Sequence, residues 1–295
     1  MTLSHRAGRW IDRLPLIGNA GPSLAPRLWS SRPSIEALST AAGRCRMLRA
    51  PGQGPRLLFA VDGPNVLEHY DGLLAAGAGR ADIVVIEPPG TGGSRPSSHF
   101  DYSCPAFVDW TREVLAATGP RVLVFPCYLG FVAQWAAHAQ PTMIEGLALA
   151  QTPSWPDMER WLERVDRRSL LRTPILGQLA TRATRNRSVS GWYRASASPN
   201  QVSRLVEPAT TCLAHGGSFC LASLVQGFFE TGPPPQGLTM PKWLGWGELD
   251  RSHRHSVPEQ AMDSAKVVRF PDAGHSPELE HPEIFLNALL QFLEA

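Results

Sequence analysis

The stretch RVLVFPCYLGFVAQWAAH, residues 121–138, opens with Arg121 and four apolar positions, meets Pro126, and after Gly130 continues as a run rich in Ala, Val, Phe and Trp. A short apolar run closed by a proline reads as a buried strand, and the segment beyond Gly130 has helical composition. Strand, tight turn and helix therefore follow one another without a spacer. Whether the rest of the chain repeats that alternation decides the fold.

It does repeat. RLLFAV (56–61) is an apolar run ended by DGPN, and ADIVVIE (81–87) is another, ended by PPGTGGSRP. FVDWTREVLAATG has helical spacing and stops at Gly119, while GLALAQTP reads as a further buried strand. Strand character returns in KWLGWGE and AKVVRFP, and PEIFLNALLQFLEA closes the chain as an amphipathic helix. Apolar strands separated by helices predict an α/β fold whose mostly parallel sheet is covered on both faces.

Between these blocks the strand signal vanishes. Residues 154–236 carry helical patterns with interspersed Arg and Trp, closed by TGPPPQGL, whose three prolines fit neither a helix interior nor a central strand. The expected organisation is an N-terminal extension of short helices or an arm (1–50), a first core segment (51–153), a helical cap (154–236) and a second core segment (237–295). The cap's excess of arginine over acidic residues suits a carboxylate, a phosphate or an acidic carrier protein, or equally a solvated basic surface.

Composition narrows the classes. With 43% apolar and 18% charged residues the chain supports a large core, and a net charge of +2 gives no reason to expect nucleic acid or an anionic membrane as partner. Five cysteines, widely spaced and without a CxxC pair, argue against a disulfide framework or a zinc site and for a reducing cytoplasm. No run reaches the roughly 18–20 apolar residues of a membrane span.

The loops after the strands resemble those of the α/β-hydrolase fold superfamily. VDGPN (61–65) sits where that family carries its oxyanion loop, EPPGTGGS (87–94) looks like its glycine turn after the next strand, and FPCYLGFVAQ is similar to its nucleophile elbow. GWGELD, ending at Asp250, resembles the strand and acid of its triad, and FPDAGHSPELEHP resembles the loop around its histidine, here His275. The order elbow, acid, histidine agrees with the family's, and the likeness covers residues 56–295.

That resemblance implies a site. Small residues flank the elbow nucleophile at two positions either side, so counting back from Gly130 places Pro126 and Gly130 around Tyr128, whereas centring on Cys127 puts Phe125 and Leu129 at the crowded places. On this reading Tyr128 takes the serine's position, as a hydrogen-bond or proton donor, a covalent nucleophile or a filler. His275 supported by Asp250 is the base. The backbone N–H groups of Leu129 and Gly63 form the oxyanion hole, since Pro64 has none, and Asp62 and Cys127 contact substrate. His253 and His255 read as loop histidines.

The expected activity is an atypical, cofactor-independent and metal-free enzyme performing proton-transfer chemistry (lyase, cyclase, isomerase or transferase) on a small, largely apolar intermediate of specialised metabolism. The alternatives are a hydrolase or acyltransferase using Tyr128 or Cys127 as nucleophile, and a non-catalytic ligand-binding protein. The expected partner is a small-molecule substrate, free or carrier-bound, with no nucleic acid and no membrane.

Overall fold

Each apolar run read from the sequence becomes a strand of one sheet in the computed structural model, which describes residues 2–14 and 34–295. In chain order the strands are β1 (Glu36–Thr40), β2 (Gly43–Ala50), β3 (Arg56–Ala60), β4 (Asp82–Ile86), β5 (Arg121–Pro126), β6 (Ile144–Ala150), β7 (Lys242–Gly247) and β8 (Lys266–Phe270). Their order across the sheet is β1-β2-β4-β3-β5-β6-β7-β8, with a short Arg95–Pro96 strand beside β2. Only β1 and β2 run antiparallel to their neighbours on this path; from β4 through β8 every pairing is parallel.

Alternation along the strands builds two cores. Leu58, Ala60, Leu123 and Phe125 face the layer formed by α3 (Cys104–Thr118) and α4 (Leu129–Ala139), with Phe107, Trp110 and Phe131. Their neighbours Leu57, Phe59, Val122 and Val124 face the other layer, formed by α2 (Asp71–Gly77) and the terminal α10 (Pro282–Leu293). A period of two thus sends successive residues of one strand into opposite cores.

Residues 36–50 correct the predicted N-terminal extension. They form an antiparallel hairpin that extends the sheet, and the helix α1 (Leu3–Arg13) lies on the cap. The part of the expected extension at residues 15–33 lies outside the described residues. The hairpin escapes an apolar reading because Arg44, Arg46 and Arg49 alternate with Cys45, Met47 and Leu48.

Arg46 is there for a reason. Its Nε donates to Glu87 at 2.8 Å, and its Nη atoms donate to both oxygens of Glu68 at 3.0 and 2.9 Å and to Glu87 at 2.5 Å. Glu87 is fully buried at the end of β4 and also accepts from the backbone of Leu67 and Gly93. Gly92 closes the turn with φ +55°, and a Cβ there would stand 2.2 Å from Glu87 Oε1, so the glycine turn wraps this carboxylate. Removing the guanidinium leaves two acids without their counter-charge. Arg46→Met is expected to destabilise the fold by about 3–5 kcal/mol, read from the urea midpoint.

Between β6 and β7 the chain contributes α5 (Trp155–Val165), α6 (Leu176–Ser196), α7 (Val202–Ala214) and α8 (Leu221–Phe228). Ser154 caps α5 by accepting from Asp157 N–H, with Pro156 in the first turn. The C-terminal end of α6 is tied to the core twice: Tyr193 Oη donates to Asn65 Oδ1 at 2.8 Å, and His275 N–H donates to Ser196 O at 2.8 Å. Both anchors lie beside the loops that follow β3 and β8. Among the described residues no helix is long and apolar enough to cross a membrane.

Candidate active site

The elbow follows from where β5 stops. Pro126 still pairs with Ala150 of β6, and Cys127 N–H makes one further ladder bond to Ala150 O at 2.9 Å. The chain then reverses: Cys127 has φ +51°, whereas Tyr128 is already right-handed helical at φ −62°, ψ −28°. A non-glycine residue at positive φ costs on the order of 1–3 kcal/mol and persists only where its surroundings hold it. Thr152 does so, its Oγ1 donating to Cys127 O at 3.0 Å.

The apex is therefore Cys127, which corrects the frame centred on Tyr128. Gly130 misled the count because its smallness serves another contact: a Cβ there would meet Thr152 Oγ1 at 2.1 Å. Phe125 and Leu129 cause no crowding, because both point into the core. The phenol of Tyr128 packs edge-on against Phe107 and Phe228, and burial pushes it well above its ordinary pKa. With the apex at Cys127, the backbone N–H that follows it is that of Tyr128 and not of Leu129, and that N–H acts to lower the Cys127 thiol pKa against burial.

His275 and Asp250 come together from the ends of β8 and β7. His275 Nδ1 lies 2.7 Å from Asp250 Oδ2, and Asp250 also accepts from Gln151 Nε2 at 3.0 Å and from Ser252 N and Oγ at 2.8 and 2.6 Å. Gln151 is itself fixed by Gly247 N–H donating to its Oε1 at 2.7 Å. Against the effect of burial, the imidazole holds Asp250 below the usual carboxylate range, and Asp250 holds His275 well above its own. The opposite nitrogen, Nε2, is buried without a hydrogen-bond partner and faces Asp62 Oδ2 at 3.5 Å. Cys127 Sγ, a His275 ring nitrogen and an Asp62 oxygen all lie within 4.8 Å of one another.

Burial raises the Asp62 carboxyl, against the pull of His275. It also pushes the Cys127 thiol up to about 11, with Asp62 adding to the effect. The resting sulfur is thus a thiol beside an imidazole flanked by two carboxyl groups.

His253 departs from the loop role expected of it. It is buried, stacks on His275 with ring centroids 5.6 Å apart, and is backed by Trp161 at 6.0 Å, while Trp192 meets His275 edge-on at 5.0 Å. Burial lowers its pKa to about 4, so a neutral ring clamps the plane of His275. The signal for it was absent from local sequence, since the stack joins the β7 loop to two cap helices. His255 remains exposed.

Glu278, in the short helix α9 (Pro277–Glu280), is buried with both carboxyl oxygens lacking a hydrogen-bond partner, and burial pushes its pKa to about 8. Because the folded value exceeds the ordinary 4.5, its contribution is fully present below about 4.5 and is lost as pH rises to about 8. Glu278→Gln is expected to be more stable than the parent at pH 8, with an advantage growing by at most about 1.4 kcal/mol per pH unit across that window, measured by denaturation at several pH values.

Asp62, Gly63, Cys127 and Tyr128 form the floor of a cavity of about 380 Å³ roofed by the cap. Its walls are mainly apolar, with Trp161, Leu171, Trp192 and Phe229 prominent. Gly63 stands against Phe219, where a Cβ would come within 2.7 Å of the ring.

Comparison with known proteins places this geometry. The sequence profile of the Alpha/beta hydrolase family matches residues 66–288. Among solved structures the chain resembles an esterase from Thermogutta terrifontis (18% identity, TM-score 0.64, covering 88% of this chain and 98% of that one). It also resembles epoxide hydrolase A from Mycobacterium thermoresistibile (15%, 0.68, 89% and 98%) and the carboxylesterase CesB from Bacillus subtilis (16%, 0.66, 99% and 99%). The comparison with curated proteins gives no match. With the profile spanning most of its length and the sheet order, elbow and loops in their places, the chain belongs to the α/β-hydrolase family.

Proposed function

We propose that the protein is a cysteine-dependent acyl-transfer enzyme, a hydrolase or acyltransferase, acting on an ester or thioester whose apolar part occupies the cap cavity. The observation that carries this reading is the position of Cys127 at the positive-φ apex between β5 and α4, with His275 and the Tyr128 N–H at its sulfur. His275 takes the thiol proton as the sulfur attacks the carbonyl carbon. The resulting oxyanion faces the N–H groups of Tyr128 and Gly63, and collapse returns the proton to the leaving group and leaves a thioester on Cys127. Water or another acceptor, deprotonated by His275, then releases the acyl group.

The proton-donor role expected of Tyr128 is not carried forward: its phenol packs among aromatic rings, and the hydrogen-bonding partner of His275 is Asp250. Cys45, Cys104, Cys212 and Cys220 are buried away from this cavity. Iodoacetamide should accordingly inactivate the enzyme in proportion to alkylation of Cys127, and an apolar ester should protect. Full alkylation of Cys127 with turnover intact would reject the reading.

The pH dependence follows from the same charges. The resting thiol and raised imidazole hold one proton more than the reactive form, so kcat/KM should rise with pH through neutrality. Asp62 opposes loss of that proton, since its charge disfavours a thiolate and favours an imidazolium. Asp62→Asn is expected to move the rising limb to lower pH by about one unit; a limb that stays in place or moves to higher pH would show that Asp62 does not bear on the pair.

A further inference from the structure

We infer that Cys127, His275 and Asp62 together form a binding site for a thiophilic divalent cation of the zinc class. Three different donors, a thiol sulfur, an imidazole nitrogen and a carboxylate oxygen, converge within 4.8 Å of one another, all from buried residues. Zinc bonds of about 2.0–2.3 Å in a tetrahedron place their donors about 3.3–3.7 Å apart, and His275 Nε2 and Asp62 Oδ2 stand at 3.5 Å.

The hydrogen bonding of His275 agrees with a ligand at this place. His275 is only 2% exposed, and its Nε2 has no hydrogen-bond partner although it is aimed at this gap. Its other nitrogen is held by Asp250 at 2.7 Å, which fixes the tautomer and ring orientation as the outer-shell carboxylate of a metal-bound histidine does. Asp250, His253 and His275 make a second group of metal-competent side chains, but there Asp250 and His275 already satisfy each other.

The donor set selects the metal. One sulfur and one imidazole suit zinc, cobalt(II) or copper(I), whereas calcium and magnesium require several oxygen ligands. Asp62 and Cys127 line the cavity floor, so a path of entry exists. Binding replaces the thiol proton and the Nε2 proton of the raised imidazole with the cation and releases both to solvent. A cation held on the sulfur occupies the nucleophile, so metal binding and acyl transfer exclude each other; this consequence for turnover rests on the proposed function, while the binding does not.

Cobalt(II) serves as the probe. Titration of the reduced, metal-free protein should give one equivalent with a sulfur-to-cobalt charge-transfer band in the near ultraviolet and intense visible bands of tetrahedral cobalt, both displaced by zinc. Cys127→Ser should abolish the charge-transfer band. Asp250→Asn should weaken binding about 10- to 100-fold, and Asp62→Asn, which removes a ligand, by more than that. Circular dichroism and the melting temperature confirm that each variant is folded.

Absence of the charge-transfer band at saturating cobalt would overturn the site. So would equal zinc affinity in the parent and all three variants, which would locate the metal on exposed histidines such as His99, His215 or His255. Zinc that binds with the expected signature yet leaves turnover unchanged would retain the site and overturn Cys127 as nucleophile.

Discussion

Cys127→Ala is expected to lower kcat at least about ten-thousand-fold, while Tyr128→Phe stays within about tenfold of the parent. The contrast comes from backbone geometry. At the end of β5 the residue with positive φ projects its side chain away from the sheet towards the cavity floor, and that residue is Cys127. Tyr128 contributes its N–H, which a phenylalanine retains, and a ring packed on Phe107 and Phe228, which a phenylalanine reproduces. Alanine at 127 keeps the elbow bonds to Ala150 and Thr152, because both are made by the backbone. Its loss of activity would thus report chemistry and not folding. If Tyr128→Phe is the variant that fails while Cys127→Ala turns over normally, the assignment is reversed.

Asp250→Asn is expected to cost roughly ten-thousand-fold in kcat with little change in KM. The Asp250 carboxylate accepts from His275 Nδ1, Gln151 Nε2 and Ser252. An amide in its place must turn either its NH2 group or its oxygen towards each of these donors. Ser252 N and Oγ both donate to Oδ1, whereas His275 and Gln151 share Oδ2; with the amide oxygen kept by the two Ser252 donors, the NH2 faces His275, whose Nδ1 must then accept. The proton moves to Nε2, and the imidazole can no longer take one from Cys127. Melting temperature and a pH–rate profile separate this outcome from simple unfolding: a folded variant with parental kcat would show that the Asp250 hydrogen bond does not set the tautomer.

How much of this was written in local sequence depends on the kind of signal. The inner parallel strands were legible because they bury both faces and so read as unbroken apolar runs, as in Leu57–Phe59 and Ile83–Ile86. The β1–β2 hairpin was not, since β1 is largely exposed and β2 carries Arg46 for the sake of Glu87 and Glu68. Asp250 and His275 were found through their surrounding motifs, and the structure brings their side chains into contact.

The elbow frame failed on one glycine. Gly130 is small for Thr152, a residue twenty-two positions away and invisible to a count along the chain. A better guide was available in the strand itself: β5 ends with Pro126, so the turn begins with the next residue. His253, Gln151 and Glu278 gave no sequence signal, because their roles arise only when loops from β6, β7 and β8 meet beneath the cap.

The central claim is that acyl groups pass through the sulfur of Cys127. Rapid quenching of the enzyme with an apolar p-nitrophenyl ester, followed by intact-protein mass spectrometry and peptide mapping, tests it directly. A single acyl adduct is expected on the peptide carrying Cys127, removed by hydroxylamine, accumulating in step with the release of nitrophenol, and missing from Cys127→Ala. Product formation with no adduct at any quench time, or an adduct on Tyr128 or elsewhere that survives in Cys127→Ala, would contradict it.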